Sequence, residues 1–143
     1  MLKTKIAKTP VEIKSVFNIR RKVFMEEQGV SEELEIDGLD NISKHVLALY
    51  NNAPIGCARI RFNKNKAKLE RIAILKKFRG KGFGKDIMNY LIKYCKSKNV
   101  NEIYFHSQYH AKDFYKKCGF KERGKIFSEA RIKHIEMFMK KID

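Results

Sequence analysis

Residues Arg79–Lys85, RGKGFGK, set three glycines among three cations. The run before them, Lys68–Leu75 (KLERIAIL), reads as a strand, and the run after, Asp86–Cys95 (DIMNYLIKYC), repeats apolar side chains at helical spacing. A strand, a glycine loop and a helix start make an anion site on physical grounds. The first N–H groups of a helix have no internal partners, and the helix dipole adds partial positive charge at the same end. Glycines let a phosphate approach the backbone without a Cβ in the way. Arg79, Lys81 and Lys85 add full charges. Two familiar phosphate spacings nevertheless fail. The Walker pattern G-x-x-x-x-G-K-[ST] is not met, because Lys85 is followed by Asp86 and the glycine spacing differs. The dinucleotide pattern G-x-G-x-x-G fails because position 85 is lysine. A lysine-rich structural turn is the competing reading.

Working outward, residues 2–7 predict a short first strand. Thr9, Pro10 and Glu12 form a capping box with proline at the first helical position, which predicts one helix over residues 9–28. An acidic loop follows, GVSEELEIDGLDN, with Gly29 and Gly38. Then come three strands, residues 45–50, 53–62 and 67–74, separated by Asn51-Asn52 and by NKNK, which predicts an antiparallel meander. The helix after the glycines presents Ile87, Met88, Leu91, Ile92 and Cys95 to the core and ends near Asn99. Residues 100–108 form the next strand, residues 109–120 a short helix with Ala111, Phe114, Tyr115 and Cys118 on one face, and Gly119 a left-handed stop. Two last strands fall around KIFSEA (125–130) and KHIEMFMKK (133–141). The expected class is α/β with α and β mixed: a central, mostly antiparallel sheet flanked by helices. A crossover helix joins one side-by-side parallel pair.

The length, 143 residues, suits a single domain spanning 1–143. No apolar run approaches the ~20 residues needed to span a bilayer, and the N-terminal segment lacks the apolar stretch of a secretory signal. Three cysteines, Cys57, Cys95 and Cys118, are odd in number and unpaired by motif, which argues against a disulfide framework or zinc site and for a cytoplasmic setting. The formal charge of +16 favours acidic partners, but lysine is spread over nearly every segment rather than gathered in a tail. A nucleic-acid-binding module is the rival from another class. It lacks aromatic–basic platform motifs and helix-turn-helix spacing. His106 and His110 straddle a strand-to-helix junction without further ligands, so no metal is expected.

Arg79-Gly80-Lys81-Gly82-Phe83-Gly84 fits Arg/Gln-x-x-Gly-x-Gly/Ala, and AKDFYKKCGF supplies Phe114-Tyr115-x-x-x-Gly119-Phe120 about thirty residues later. In that order, after LERIAI, these motifs resemble the GNAT superfamily of acyl-CoA-dependent N-acetyltransferases, over essentially the whole chain. RRKVFMEEQGVSEELEIDGLDNISKH further resembles the Arg-x-x-Val-Phe-x-x-Glu-Gln-x-Val…Glu-x-Asp…Asp…His signature of the ElaA/YjcF-like bacterial subgroup. FSEARIKHIEM resembles that subgroup's Phe-x-Glu-x-x-Ile-x-His-x-x-Met, with Arg131 where the subgroup usually has glycine.

The resemblance implies the GNAT acyl-CoA N-acyltransferase fold, with coenzyme A in a splayed gap between KLERIAI and EIYFHSQ and acetyl-CoA as cofactor. Backbone groups of Ile72, Ala73 and Ile74 would meet the pantetheine. Arg79, Gly80, Lys81, Gly82, Phe83, Gly84 and Lys85 would form the pyrophosphate cradle, with Phe114 as a further cofactor contact; Gln108, at the end of the following strand, would bond cofactor or substrate, or else cap the next helix start. Tyr115 would be the catalytic acid, and the Ile74 N–H an oxyanion donor. Glu70 is a candidate base, on the strength of shared strand parity with Ile72 and Ile74, or else a structural ion pair. Glu27, Gln28, Glu129 and His134 match subgroup positions and would face the acceptor, a small-molecule or protein amine; His134 is a candidate base or else a hydrogen-bonded core residue of an apolar strand. The acidic cluster Glu26, Glu27, Glu32, Glu33, Glu35, Asp37 and Asp40 is either a pocket wall for a cationic amine or an exposed loop paired with lysines. A homodimer is a further expectation, and a CoA-binding regulator without catalysis a further alternative.

Overall fold

A computed structural model describes residues 1–140; Lys141, at the end of the last expected strand, lies outside the described residues. The strands β1 (Leu2–Ile6), β2 (Lys44–Tyr50), β3 (Ala53–Asn63), β4 (Lys66–Ile74), β5 (Glu102–Gln108), β6 (Lys121–Glu129) and β7 (Ile132–Lys140) form one seven-stranded sheet in the order β1-β2-β3-β4-β5-β7-β6. Helix α1 (Pro10–Arg20) begins on the expected capping box. Thr9 Oγ1 accepts from Glu12 N at 3.1 Å and Glu12 Oε1 accepts from Thr9 N at 3.0 Å. The hairpin between β2 and β3 turns on Asn51 and Asn52, both left-handed (φ 49° and 69°), the mirror-image turn that matches strand twist.

Two expectations for the N-terminal half need correction. The helix expected over residues 9–28 is α-helical only to Arg20; Arg21–Glu27 is a π-helical segment. Its wider turn, with Gln28 N bonded to Val23 O, keeps Val23 in the core and carries Glu27 and Gln28 toward β4 and β5. Within the expected acidic loop, Glu32–Glu35 form one helical turn, α2. Ser31 caps it by accepting from Leu34 N, and the acids sit favourably at its start.

Helix α3 (Phe83–Ser97) crosses from β4 to β5, and those two strands are the sheet's parallel pair. Their pairing is short: Lys66–Leu69 meet Glu102–Phe105, and beyond Leu69 the strands part. A bulge in β4 accompanies the parting. Cys57 faces Ala73 and Arg59 faces Glu70, so Arg71 and Ile72 together oppose Ala58. Arg71 is left-handed there (φ 54°). Strand β5 continues along its whole length against β7.

Alternation then sorts the core onto two faces. Val46, Ala58, Ile60, Leu69, Phe105 and Met137 pack with Ile87, Met88 and Leu91 of α3, joined by Tyr115 and Cys118 around α4 (Lys112–Lys117). Leu47, Cys57 and Ala73 pack with Val16, Ile19 and Val23 on the other face. Helix α1 packs on β2, β3 and β4, and the polar residues His106, Gln108, His134 and Glu136 of β5 and β7 lie on the same face of the sheet, buried or half-buried.

Candidate functional site

The three glycines of RGKGFGK do different work. Gly80 and Gly82 are left-handed (φ 74° and 86°), and an added Cβ would meet nothing at either, so their requirement is conformational. Gly82 caps α3, and the first intrahelical bond runs from Asp86 N to Gly82 O. The N–H groups of Gly82, Phe83, Gly84 and Lys85 are therefore left outside the helix ladder at its positive end. Gly84 is tight instead: a Cβ there would lie 3.2 Å from Phe114 Cζ and 3.5 Å from Ile74 Cδ1. Phe114 of α4 thus lies against the helix start. Phe83 packs its ring on Tyr50, centroids 5.0 Å apart, and anchors α3 to the sheet.

The strand beside this loop ends in Ile72, Ala73 and Ile74, whose β5-facing edge looks into the gap. Ile72 and Ile74 pack on the α3 side with Tyr115. The Tyr115 ring meets Phe105 edge-on at 4.6 Å and Phe114 at 5.1 Å, and burial pushes its phenol up to about 12.

The structure corrects the parity argument for Glu70. The bulge inserts one residue between Glu70 and Ile72, which turns Glu70 to the α1 face while Ile72 and Ile74 face α3. There Glu70 accepts from Arg59 and Arg61, the ion-pair arrangement. Burial pushes its carboxyl up, but the bonds from Arg61 and Arg59 outweigh it and hold the group below its usual range.

Part of the acidic cluster walls a cleft, since Glu32, Glu35 and Asp40 line one beside Phe17 and Arg21, but Glu35, Asp37 and Asp40 pair with arginines rather than lysines. Arg20 Nε donates to Glu35 Oε1 at 2.9 Å and its Nη1 to Asp40 Oδ1 at 2.7 Å. Arg59 donates to Asp37 Oδ2 at 2.7 Å and to Asp40 Oδ1 at 3.0 Å. Arg71 Nε donates to Glu35 Oε2 at 2.6 Å. Arg20 and Arg59 are fully buried. The bond from Arg59, above all, holds Asp37 far below the ordinary carboxylate range. Six of the eight arginines (20, 59, 61, 71, 79 and 123) pair with carboxylates. In a lysine-dominated chain, arginine is the signal for these pairs, because its planar fork suits bidentate bonding.

The remaining candidates meet at the mouth of the gap on the α1 side. Gln108 Nε2 donates to Gln28 Oε1 at 3.1 Å across 80 residues of chain. Glu27 receives both Nη atoms of Arg79, at 2.5 and 2.8 Å, and these bonds lower its carboxyl. His134 is buried, with Nδ1 2.7 Å from Ile132 O, so that nitrogen carries the proton by contact; Nε2 lies 3.7 Å from Glu129 Oε2. The other Glu129 oxygen is 3.4 Å from His106 Nδ1, a partner that sequence reasoning had not assigned. That bond is the main cause holding Glu129 low. Phe127 packs between the two imidazoles, 5.0 Å from His106 and 5.8 Å from His134.

No group of three or more potential metal-ligating side chains occurs among the described residues. No described helix is long and apolar enough to cross a membrane. Two surface clefts, of about 460 and 580 Å³, flank α1 around Phe17 and Arg21 and contain no residue of β4, β5 or α4. The first is lined by Arg21, Glu32, Glu35, Asp40 and Asn41, polar groups apart from those at the gap.

Comparison with known proteins follows the same lines. A family model described as an acetyltransferase (GNAT) domain matches residues 7–141. The chain is 37% identical over 137 residues to the uncharacterized N-acetyltransferase YjcF of Bacillus subtilis, covering 95% of this chain and 98% of that one. The structure of Escherichia coli ElaA superposes with TM-score 0.87 at 22% identity, over 96% of this chain and 99% of that one. A GNAT family acetyltransferase from Elizabethkingia anophelis, solved with acetyl-CoA bound, superposes with TM-score 0.74 at 21% identity, over 97% of both chains.

Proposed function

The chain belongs to the GNAT acetyltransferase family, and from that premise we propose that it moves the acetyl group of acetyl-CoA to a primary amine by direct transfer in a ternary complex. The observation that carries the reading is the parting of β4 from β5 beyond Leu69, with unladdered helix N–H groups at its end. These residues fit coenzyme A. The open edge of Ile72–Ile74 offers backbone groups to an amide-bearing arm, Gly82–Lys85 offers oriented donors to a pyrophosphate, and Phe114 and Gln108 flank the gap. Lys81 and Lys85 add charge to the cradle, and Gly80 its left-handed turn.

Acetyl-CoA supplies the acetyl group as a thioester with a thiolate leaving group. Tyr115 remains protonated at neutral pH, because burial places its phenol at about 12, so it holds a proton for the departing sulfur. The Ile74 N–H is the donor for the carbonyl oxygen. The cysteines support direct transfer rather than a covalent acyl-enzyme. Cys57 and Cys95 are buried with thiols pushed up to about 12, and burial raises Cys118 as well.

The acceptor side follows by elimination among the carboxylates of the α1-side face. Glu70 is engaged by Arg59 and Arg61, Glu27 by Arg79, and Glu102 and Glu136 by Arg123. Among the described residues, the basic side chains within ion-pair distance of Glu129 are His106 and His134. Of the carboxylates on β4–β7, Glu129 is thus the one with no lysine or arginine partner among the described residues and the one offered to a cationic amine, while His134, pinned through Nδ1 to Ile132, presents Nε2 as proton acceptor. Glu70, depressed and doubly bonded, is a poor base and serves the arginine network. Steady-state thiol release from acetyl-CoA against a panel of primary amines tests the reading. Amine-dependent release supports it. Salt-sensitive binding of duplex DNA with no response to acetyl-CoA sinks it.

A further inference from the structure

Arg79 opens the glycine loop, yet its guanidinium is turned back into the protein. Nε donates to Ile74 O at 2.9 Å, and Nη1 and Nη2 donate to the two oxygens of Glu27 at 2.5 and 2.8 Å. Glu27 ends the π-helical segment, and its neighbour Gln28 is bonded to Gln108 of β5. One charge pair thus ties the loop at the end of β4 to residues on the acceptor side of the gap.

We propose that Glu27 is an internal competitor for the coenzyme: its carboxylate occupies the Arg79 fork that the pyrophosphate of coenzyme A takes over on binding. The inference rests on the coenzyme reading above. A guanidinium meets carboxylate and phosphate through the same pair of parallel N–H bonds, so the exchange needs no new geometry at Arg79. The pair is partly exposed, 39% at Arg79 and 35% at Glu27, which makes it a weak, screened contact. A pyrophosphate brings more charge and also meets the N–H groups at the start of α3. Lys76 is the other cation acting on Glu27, and Glu26 beside it is a carboxylate without an arginine partner among the described residues.

Exchange has a consequence for the acceptor. Glu27 released from Arg79 stands beside Gln28 and Gln108 as an additional unpaired carboxylate on the acceptor side. A cation held there disfavours return of Arg79, so coenzyme and acceptor strengthen each other's binding by the same factor.

Calorimetric titration of coenzyme A into wild type, Glu27→Gln, Arg79→Gln and the double variant tests this, with Glu26→Gln as a charge control. The expected result is coenzyme binding about two- to five-fold tighter in Glu27→Gln, the range an exposed ion pair covers. No gain should appear in the Arg79→Gln background, and none from Glu26→Gln. Weaker or unchanged binding in Glu27→Gln would overturn the proposal, because Glu27 would then present Arg79 to the phosphate rather than withhold it. An equal gain in the Arg79→Gln background would also overturn it, leaving only long-range charge. Failure of the wild type to bind coenzyme A removes the coenzyme reading itself, a distinct outcome.

Discussion

Arg71 Nε bonds Glu35 Oε2 at 2.6 Å from a backbone held left-handed at φ 54°. A residue with a Cβ rarely takes that conformation, and here it sits inside a strand. The same guanidinium donates to Glu35 O at 3.0 Å and approaches Asp37 Oδ2 at 3.3 Å. These bonds hold the bulge that turns Glu70 away from Ile72 and accompanies the parting of β4 from β5. Arg71→Ala is expected to cost about 2 kcal/mol, since Glu35 keeps Arg20 as a partner. Arg71→Gly should cost less, because it removes the backbone strain along with the bonds. Urea denaturation of the two variants checks the order; equal losses would mean that the strain is not felt.

Gly84 and Phe114 are expected to couple. Gly84→Ala places a methyl 3.2 Å from Phe114 Cζ, so it should lower the midpoint of thermal unfolding and weaken coenzyme A binding. Phe114→Leu should restore most of both in the double variant. Gly82→Ala meets no neighbour, and its cost, about 1 kcal/mol from the left-handed backbone, should be indifferent to residue 114.

Tyr115→Phe should lower turnover at least tenfold, about 1.4 kcal/mol of barrier or more, with acetyl-CoA affinity little changed. The pH dependence has a definite sign. The folded phenol lies at about 12 against an ordinary 10.0, so its protonated form is complete at neutral pH. Its contribution to stability is present below pH 10 and lost as pH rises through 12. An alkaline fall in stability over that window should therefore be reduced in Tyr115→Phe.

The arginine–carboxylate network makes the opposite prediction in acid. Asp37, Asp40 and Glu70 are all lowered from their ordinary values, so they stabilise the fold above about pH 4 and lose that contribution as pH falls. Asp37→Asn should be less stable than wild type at pH 7 and converge on it as the solution is acidified. Urea midpoints between pH 7 and 3 measure the convergence; parallel curves would contradict it.

Ala130 and Arg131 close the β6–β7 hairpin in left-handed conformations, φ 52° and 64°. The subgroup's usual glycine at 131 now has a physical reason. Arg131→Gly should stabilise the protein by up to about 1 kcal/mol, read as a rise in thermal midpoint.

Much of this architecture is legible along the chain. The capping box at Thr9, the alternation of β2–β4 and the spacing of Ile87, Met88, Leu91 and Cys95 each carry local physics strong enough to survive tertiary context. The glycine loop is legible because the left-handed turn at Gly82 and a helix start with free N–H groups leave a mark in composition. What escaped depends on a single inserted residue or on distant partners. The π-helical turn after Arg20 has the same residue pattern as an α-helix. The bulge at Arg71 leaves the alternation of KLERIAI apparently intact and reverses the face of everything beyond it. His106 meets Glu129 only because β5 and β6 both flank β7, a relation no local pattern records.

The central claim is that coenzyme A lies in the gap between β4 and β5 with its pyrophosphate on the start of α3. Amide hydrogen exchange with and without coenzyme A tests this most directly. Exchange should slow at Ile72–Ile74 and at Lys81–Lys85, with little change along the outer face of α1. Binding that leaves those amides unchanged, or protects the clefts around Phe17 and Arg21 instead, would contradict it.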